Sequence, residues 1–156
     1  MKRFFLLLLT VVLTLSFNTG CMAEPNDWVG KQLPEMKLEL LSGQVETGKP
    51  MIVEFWATWC PPCRKSIPHL NEIYKKYKDK GLGIVGISDE EKSVIEKFTK
   101  TMPMDYAVAI DKDNKFSEGF GIKGIPHAFL VDKTGKITWA GHPMGLKDAD
   151  IEKLLQ

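Results

Sequence analysis

The tightest constraint on the fold lies at residues 51–63. They read Met-Ile-Val-Glu-Phe-Trp-Ala and then, after Thr58 and Trp59, Cys60-Pro61-Pro62-Cys63. A β-prone, mostly apolar run preceded by Gly48-Lys49-Pro50 is predicted to be a strand buried on both faces. Such strands belong in the middle of a sheet that is covered on two sides. Beyond the cysteines, Cys63, Ile67, Leu70, Tyr74 and Tyr77 recur at spacings of three and four, which is one apolar face of a helix. Pro61 and Pro62 suit its first turn, where a missing N–H loses no partner. Pro68 is expected to kink it, and Gly81 is placed to end it. A central strand therefore hands over directly to an amphipathic helix, with two of the chain's three cysteines at the junction.

The other segments extend the same pattern. Residues 36–45 alternate weakly around a Ser-Gly turn and are expected to form a hairpin at a sheet edge. Residues 82–88 are a second strand. Ser88 followed by Glu91 has the spacing of a capping box opening a helix that runs to about Lys100. Residues 106–111 form a short strand, and Phe116 and Phe120 fall at helical spacing. Residues 127–132 and 137–141 flank a Lys-Thr-Gly-Lys turn as a strand pair. Ile151, Leu154 and Leu155 mark a last helix. Alternation followed by a strand pair implies an α/β domain of three layers with a mixed central sheet and helices on both faces. The length of 156 residues suits one domain, and 44% apolar residues suffice for its core.

Lys2 and Arg3 precede an apolar run from Phe4 to Val12 that continues, broken by Thr and Ser, to Phe17. This is short of the roughly 20 residues that a membrane span requires and fits an export signal over residues 1–23. Cleavage before Cys21 would leave a lipid-modified cysteine, as in a bacterial lipoprotein, although Asn18 stands where a branched aliphatic residue is expected. Cleavage after Ala23 also fits. The folded domain is then 24–156, working in the cell envelope outside the cytoplasm, where disulfides persist. Without Lys2 and Arg3 the chain has 19 basic against 20 acidic residues. That balance gives no reason to expect a nucleic-acid partner.

Two cysteines at a helix start admit three readings. A structural staple is the weakest, because so short a loop removes little unfolded-state entropy. A structural zinc site needs four ligands, and no second cysteine pair exists, although His69, His127 or His142 would be available. A redox pair has a physical basis. At a helix N-terminus, unpaired N–H groups and the helix dipole favour a thiolate, which makes Cys60 the nucleophile, with Cys63 one turn on along the same face.

The residues Phe-Trp-Ala-Thr-Trp-Cys-Pro-Pro-Cys with Pro68, and Gly-Ile-Pro-His-Ala-Phe-Leu-Val-Asp-Lys-Thr-Gly-Lys-Ile at 124–137, resemble the thioredoxin superfamily. The likeness is greatest to its exported TlpA/ResA-type branch, which is related to AhpC/TSA proteins, and covers most of residues 30–156. It implies a thioredoxin-like fold with an extra strand–helix insertion, here residues 106–121. It also implies thiol–disulfide exchange with no cofactor and no bound metal. By the resemblance, Pro126 matches a cis proline facing the disulfide, and Ile125 offers backbone groups to an extended substrate. Glu54 stands six residues before Cys60, where thioredoxins carry a buried acid that shuttles the proton of the second cysteine. Trp59 is expected at the rim of the site, with His127 able to touch substrate or tune Cys60.

With only prolines between the cysteines, the expected direction is reduction of substrate disulfides. The implied partners are disulfide-bearing envelope proteins and a membrane thiol-electron donor, with a monomer as the working form. Two other functions are open at this point. One is copper handling by Cys60 and Cys63 with His127 or His142. The other is a thiol peroxidase, although the Thr-x-x-Cys pattern is missing because Thr58 lies only two residues before Cys60.

Overall fold

In the computed structural model, which describes residues 25–156, Met51–Phe55 is buried along its whole length. The proposed export signal and Cys21 lie outside the described residues. The sheet has six strands among the described residues: β1 (Glu39–Ser42), β2 (Met51–Phe55), β3 (Gly83–Ser88), β4 (Ala107–Ile110), β5 (His127–Val131) and β6 (Ile137–Gly141). Their spatial order is β1-β4-β3-β2-β5-β6. β2, β3 and β4 run parallel, while β1, β5 and β6 pair antiparallel with their neighbours. The sheet is therefore mixed, with β2 at its centre.

Side chains of β2 alternate between two cores, as strand geometry requires. Met51, Val53 and Phe55 join Val85, Ile87, Phe129, Val131 and Phe120 on one face. Ile52 joins Leu70, Ile73, Tyr77, Ile84, Leu130 and Ile151 on the other. That second face carries α1 (Pro61–Tyr77), α2 (Lys92–Thr101) and α4 (Asp148–Leu154). The first is covered by the lead-in around Trp28–Leu38 and by the short α3 (Lys115–Gly119), whose Phe116 packs there beside Phe120. Three layers result, and the strand–helix unit expected over residues 106–121 is present as β4 and α3. Pro68 lies within α1, which runs as one element from Pro61 to Tyr77, and Gly81 follows in the left-handed region at φ 95°.

Two local expectations need correction. Residues 36–45 are not a hairpin. Only β1 forms, and its partner is β4, far along the chain. Gly43 sits at φ 73° so close to Ala107 that a Cβ there would lie 2.7 Å from the Ala107 Cα, so the Ser-Gly turn serves this long-range contact. Ser88 does not open α2 either. It ends β3, Glu91 is the N-cap of α2 with no side-chain cap bond, and the Ser88 hydroxyl is hydrogen-bonded to Glu90.

Candidate active site

β2 ends at Phe55, and the chain turns at Ala57–Cys60, closed by the Cys60 N–H donating to the Ala57 carbonyl at 3.2 Å. Cys60 is the N-cap of α1 and Cys63 the third residue of the helix, so one turn of backbone brings their Cα atoms to 5.2 Å and the sulfurs are joined in a disulfide. Cys60 Sγ accepts from the Cys63 N–H at 3.2 Å. The first two helical residues are prolines and have no N–H to offer it. Both cysteines are nearly closed to solvent, Cys63 completely.

The loop before β5 faces the disulfide. The Ile125–Pro126 peptide is cis, and the Ile125 carbonyl oxygen lies 3.6 Å from Cys60 Sγ. In the disulfide state this is a contact only, because the sulfur carries no proton to donate. Trp59 stands 68% exposed beside the pair. A cleft of about 320 Å³ opens between Trp59 and Ile125, with Trp56, Asn114, Ser117 and Lys123 also lining it. The larger groove, about 690 Å³, under residues 32–51 and 131–135 shares none of these residues. His127 opens β5 opposite Phe55, with its ring 5.1 Å from that of Phe129. Its Nε2 is buried without a hydrogen-bond partner. Burial, and secondarily the nearby His142, hold its pKa below the ordinary histidine value. His142 is exposed, and its Nδ1 accepts from the Met144 N–H. Among the described residues, no three or more His, Cys, Asp or Glu side chains group so as to hold a metal ion.

Glu54 is completely buried. Its neighbours across β2 are Gly86 and Ala128, the smallest side chains available, which leaves room for a carboxyl in the sheet. Gly86 is also required by Trp56 and Met104, which a Cβ there would meet at 3.0 Å and 2.9 Å. Burial pushes the Glu54 pKa up to about 8, against the opposing hydrogen bonds of Ser66 and Tyr106. Ser66 Oγ lies 2.8 Å from Glu54 Oε1 and 2.8 Å from the Cys63 carbonyl oxygen. One hydroxyl has one proton to give. Both contacts are hydrogen bonds only when Glu54 is protonated and donates to Ser66, which then donates to Cys63. The Tyr106 hydroxyl donates to Glu54 Oε2 at 3.2 Å, and burial, then the Glu54 charge, drives the tyrosine pKa well above its usual value. The acid is thus linked to the residue of the second cysteine through Ser66.

Ser66 and Tyr106 are absent from the sequence reading. Ser66 had a signal, since it is the polar residue on the apolar stripe Cys63, Ile67, Leu70. Tyr106 had none, because its contact spans 52 positions.

Residues 29–140 match the AhpC/TSA family. The chain belongs to that family. Within it, this AhpC/TSA protein is 37% identical over 115 residues to the thiol-disulfide oxidoreductase ResA of Bacillus thuringiensis subsp. konkukian, a match spanning 70% of this chain and 66% of that protein. With the ResA of B. thuringiensis strain Al Hakam the identity is 34% over 139 residues, 85% of this chain and 80% of the relative. Among solved structures, a protein assigned as thiol:disulfide interchange protein DsbE from Chlorobium tepidum aligns at TM-score 0.72 and 31% identity, covering 82% of this chain and 98% of that one. The thioredoxin domain of a thiol-disulfide oxidoreductase from Bacteroides vulgatus aligns at 0.70 and 29%, with the same coverage. This chain is accordingly a ResA-type member of the family with a thioredoxin-like fold.

Proposed function

We propose that this protein is an exported thiol–disulfide reductase that delivers two electrons to cystines of envelope proteins. The observation that carries the reading is the Cys60–Cys63 disulfide at the start of α1, with the Ile125 carbonyl facing its more accessible sulfur. In the reduced protein, the Cys60 thiolate attacks a substrate disulfide and forms a mixed disulfide. Cys63 then loses its proton and attacks Cys60, releasing the substrate as a dithiol and restoring the internal bond. The ionised fraction of Glu54, about a tenth at pH 7 for a group titrating at about 8 and more as pH rises, receives the Cys63 proton. A carboxyl titrating at about 8 is matched to a thiol of ordinary pKa about 8.5, so transfer between them is nearly balanced. The same acid returns a proton to the Cys63 sulfur when a donor reduces the pair.

Trp59, Ile125, Pro126 and His127 form the substrate rim, with the Ile125 backbone as the polar anchor for an extended segment. A protein reductant outside the cytoplasm draws its electrons from within, so a membrane thiol-electron carrier is the donor. The export-type N-terminus supports this location, and among the described residues no helix is long and apolar enough to cross a membrane. Acylation of Cys21 would tether the domain to the membrane surface, and it acts as a monomer.

The test is mixed-disulfide trapping with Cys63→Ala in the native envelope. Adducts on Cys60 that dithiothreitol releases, and that a Cys60→Ser, Cys63→Ala double variant does not form, are the expected result. An absence of such adducts, with no reduction of protein cystines by the wild-type protein, would overturn the reading.

A further inference from the structure

The turn that presents Cys60 is tied down by a carboxylate from the loop between β3 and α2. The Thr58 N–H donates to Glu90 Oε2 at 2.6 Å, and the Thr58 hydroxyl donates to Oε1 at 2.7 Å. The fork is itself held, because the Ser88 hydroxyl donates to Oε2 at 3.2 Å and the Glu90 N–H donates to Ser88 Oγ at 3.3 Å. Thr58 is the first corner of the Ala57–Cys60 turn, and Trp59, the second corner, stands mostly in solvent. A bidentate, charge-assisted clamp is among the stronger hydrogen-bond arrangements, and here it joins residues 32 positions apart.

We propose that Glu90 is a positioning residue for the redox pair, acting through Thr58 to set the disulfide–dithiol balance of Cys60 and Cys63. The inference rests on the reductase reading above. Two effects of the clamp have the same sign. A fixed turn keeps Cys60 within bonding distance of Cys63, which favours the disulfide. A carboxylate bound to residue 58, whose Cα lies at most about 7.6 Å from that of Cys60, disfavours negative charge on the Cys60 sulfur and so disfavours the reduced form. Both make the reduced pair the stronger reductant. Gln at position 90 separates the two effects. Its amide oxygen accepts from the Thr58 N–H and its amide nitrogen donates to the Thr58 hydroxyl oxygen, so the tie survives without the charge.

The experiment is equilibration of the full-length protein with reduced and oxidised dithiothreitol at pH 7. In that exchange the Cys60–Cys63 bond breaks, two electrons and two protons pass from dithiothreitol to the cysteines, and dithiothreitol closes its own disulfide. The equilibrium constant for reducing the protein is expected to rise about threefold in Glu90→Gln and about tenfold in Glu90→Ala. Tenfold corresponds to about 30 mV toward a more oxidising potential. Thr58→Val, which keeps only the backbone arm, is expected to lie between wild type and Glu90→Ala. A clamp that serves stability alone would lower the melting temperature of Glu90→Ala and leave all three constants at the wild-type value. That result overturns the proposal, as does a shift of opposite sign. A wild-type protein that exchanges with dithiothreitol but reduces no protein cystine would sink the reductase reading instead.

Discussion

Glu54 carries its proton at a pH where an ordinary carboxylate has lost it, and that has a consequence for stability as well as for catalysis. In the unfolded chain the group titrates at its ordinary 4.5, and in the folded protein at about 8. Between those values the native state binds the extra proton, so the stabilisation present below about pH 4.5 is lost as pH rises through about 8. The gap corresponds to about 5 kcal/mol. Urea unfolding from pH 5 to pH 9 is expected to show falling stability for the wild type and a nearly flat line for Glu54→Gln, which keeps the shape and cannot ionise. The same substitution removes the ionised Glu54 that accepts the Cys63 proton, so resolution of a preformed mixed disulfide at pH 8, where about half of the wild-type groups are ionised, is expected to slow by about 10²-fold, measured by stopped-flow release of the substrate thiol. A variant that flattens the stability profile without slowing resolution would leave Glu54 as a buried acid with no part in the exchange.

At the level of elements, what could be read in advance was whatever depended on neighbours in the chain. The apolar run of β2, the stripe of α1 and the cysteines between them are local patterns, and the structure reproduces them. What could not be read depended on distant partners: β1 pairs with β4, the Glu90 carboxylate reaches Thr58, and the Tyr106 hydroxyl reaches Glu54. The inserted unit shows the same division. Phe116 and Phe120 announced a helical face, but the group that starts α3 is Asp111, outside the helix. Its buried carboxylate accepts from the N–H groups of Phe116 and Ser117 at 2.9 Å and 2.8 Å and from the Ser117 hydroxyl at 2.8 Å. Asp113 and Asn114, both in the left-handed region, bring the chain around to allow it. Asp111→Ala leaves two first-turn N–H groups without that acceptor and is expected to cost about 1–3 kcal/mol in urea unfolding. Because Ser117 and Asn114 line the cleft beside Trp59, the KM for a protein cystine is expected to rise in the same variant. An unchanged unfolding midpoint would show that α3 does not depend on this cap.

For the molecule as a whole, the direction of electron flow follows from how little the fold does to stabilise a thiolate on Cys60. A helix N-terminus ordinarily offers several N–H groups to its cap residue, but Pro61 and Pro62 remove the first two and leave the Cys63 N–H at 3.2 Å. The Ile125 carbonyl oxygen, 3.6 Å away, can accept from a thiol and repels an anion. With the reduced form poorly stabilised, the potential should lie nearer the roughly −270 mV of thioredoxin than the roughly −120 mV of the strong oxidant DsbA. Pro62→Ala returns an N–H at the second helical position, where a cap side chain ordinarily finds a donor. One such bond contributes about 1 kcal/mol to the thiolate, which should move the potential by about 20 mV toward the oxidising side. Equilibration of both proteins against a glutathione or dithiothreitol series measures this directly. A wild-type value near −120 mV, or a Pro62→Ala shift toward more negative potentials, would mean that something other than the stripped helix start governs the pair.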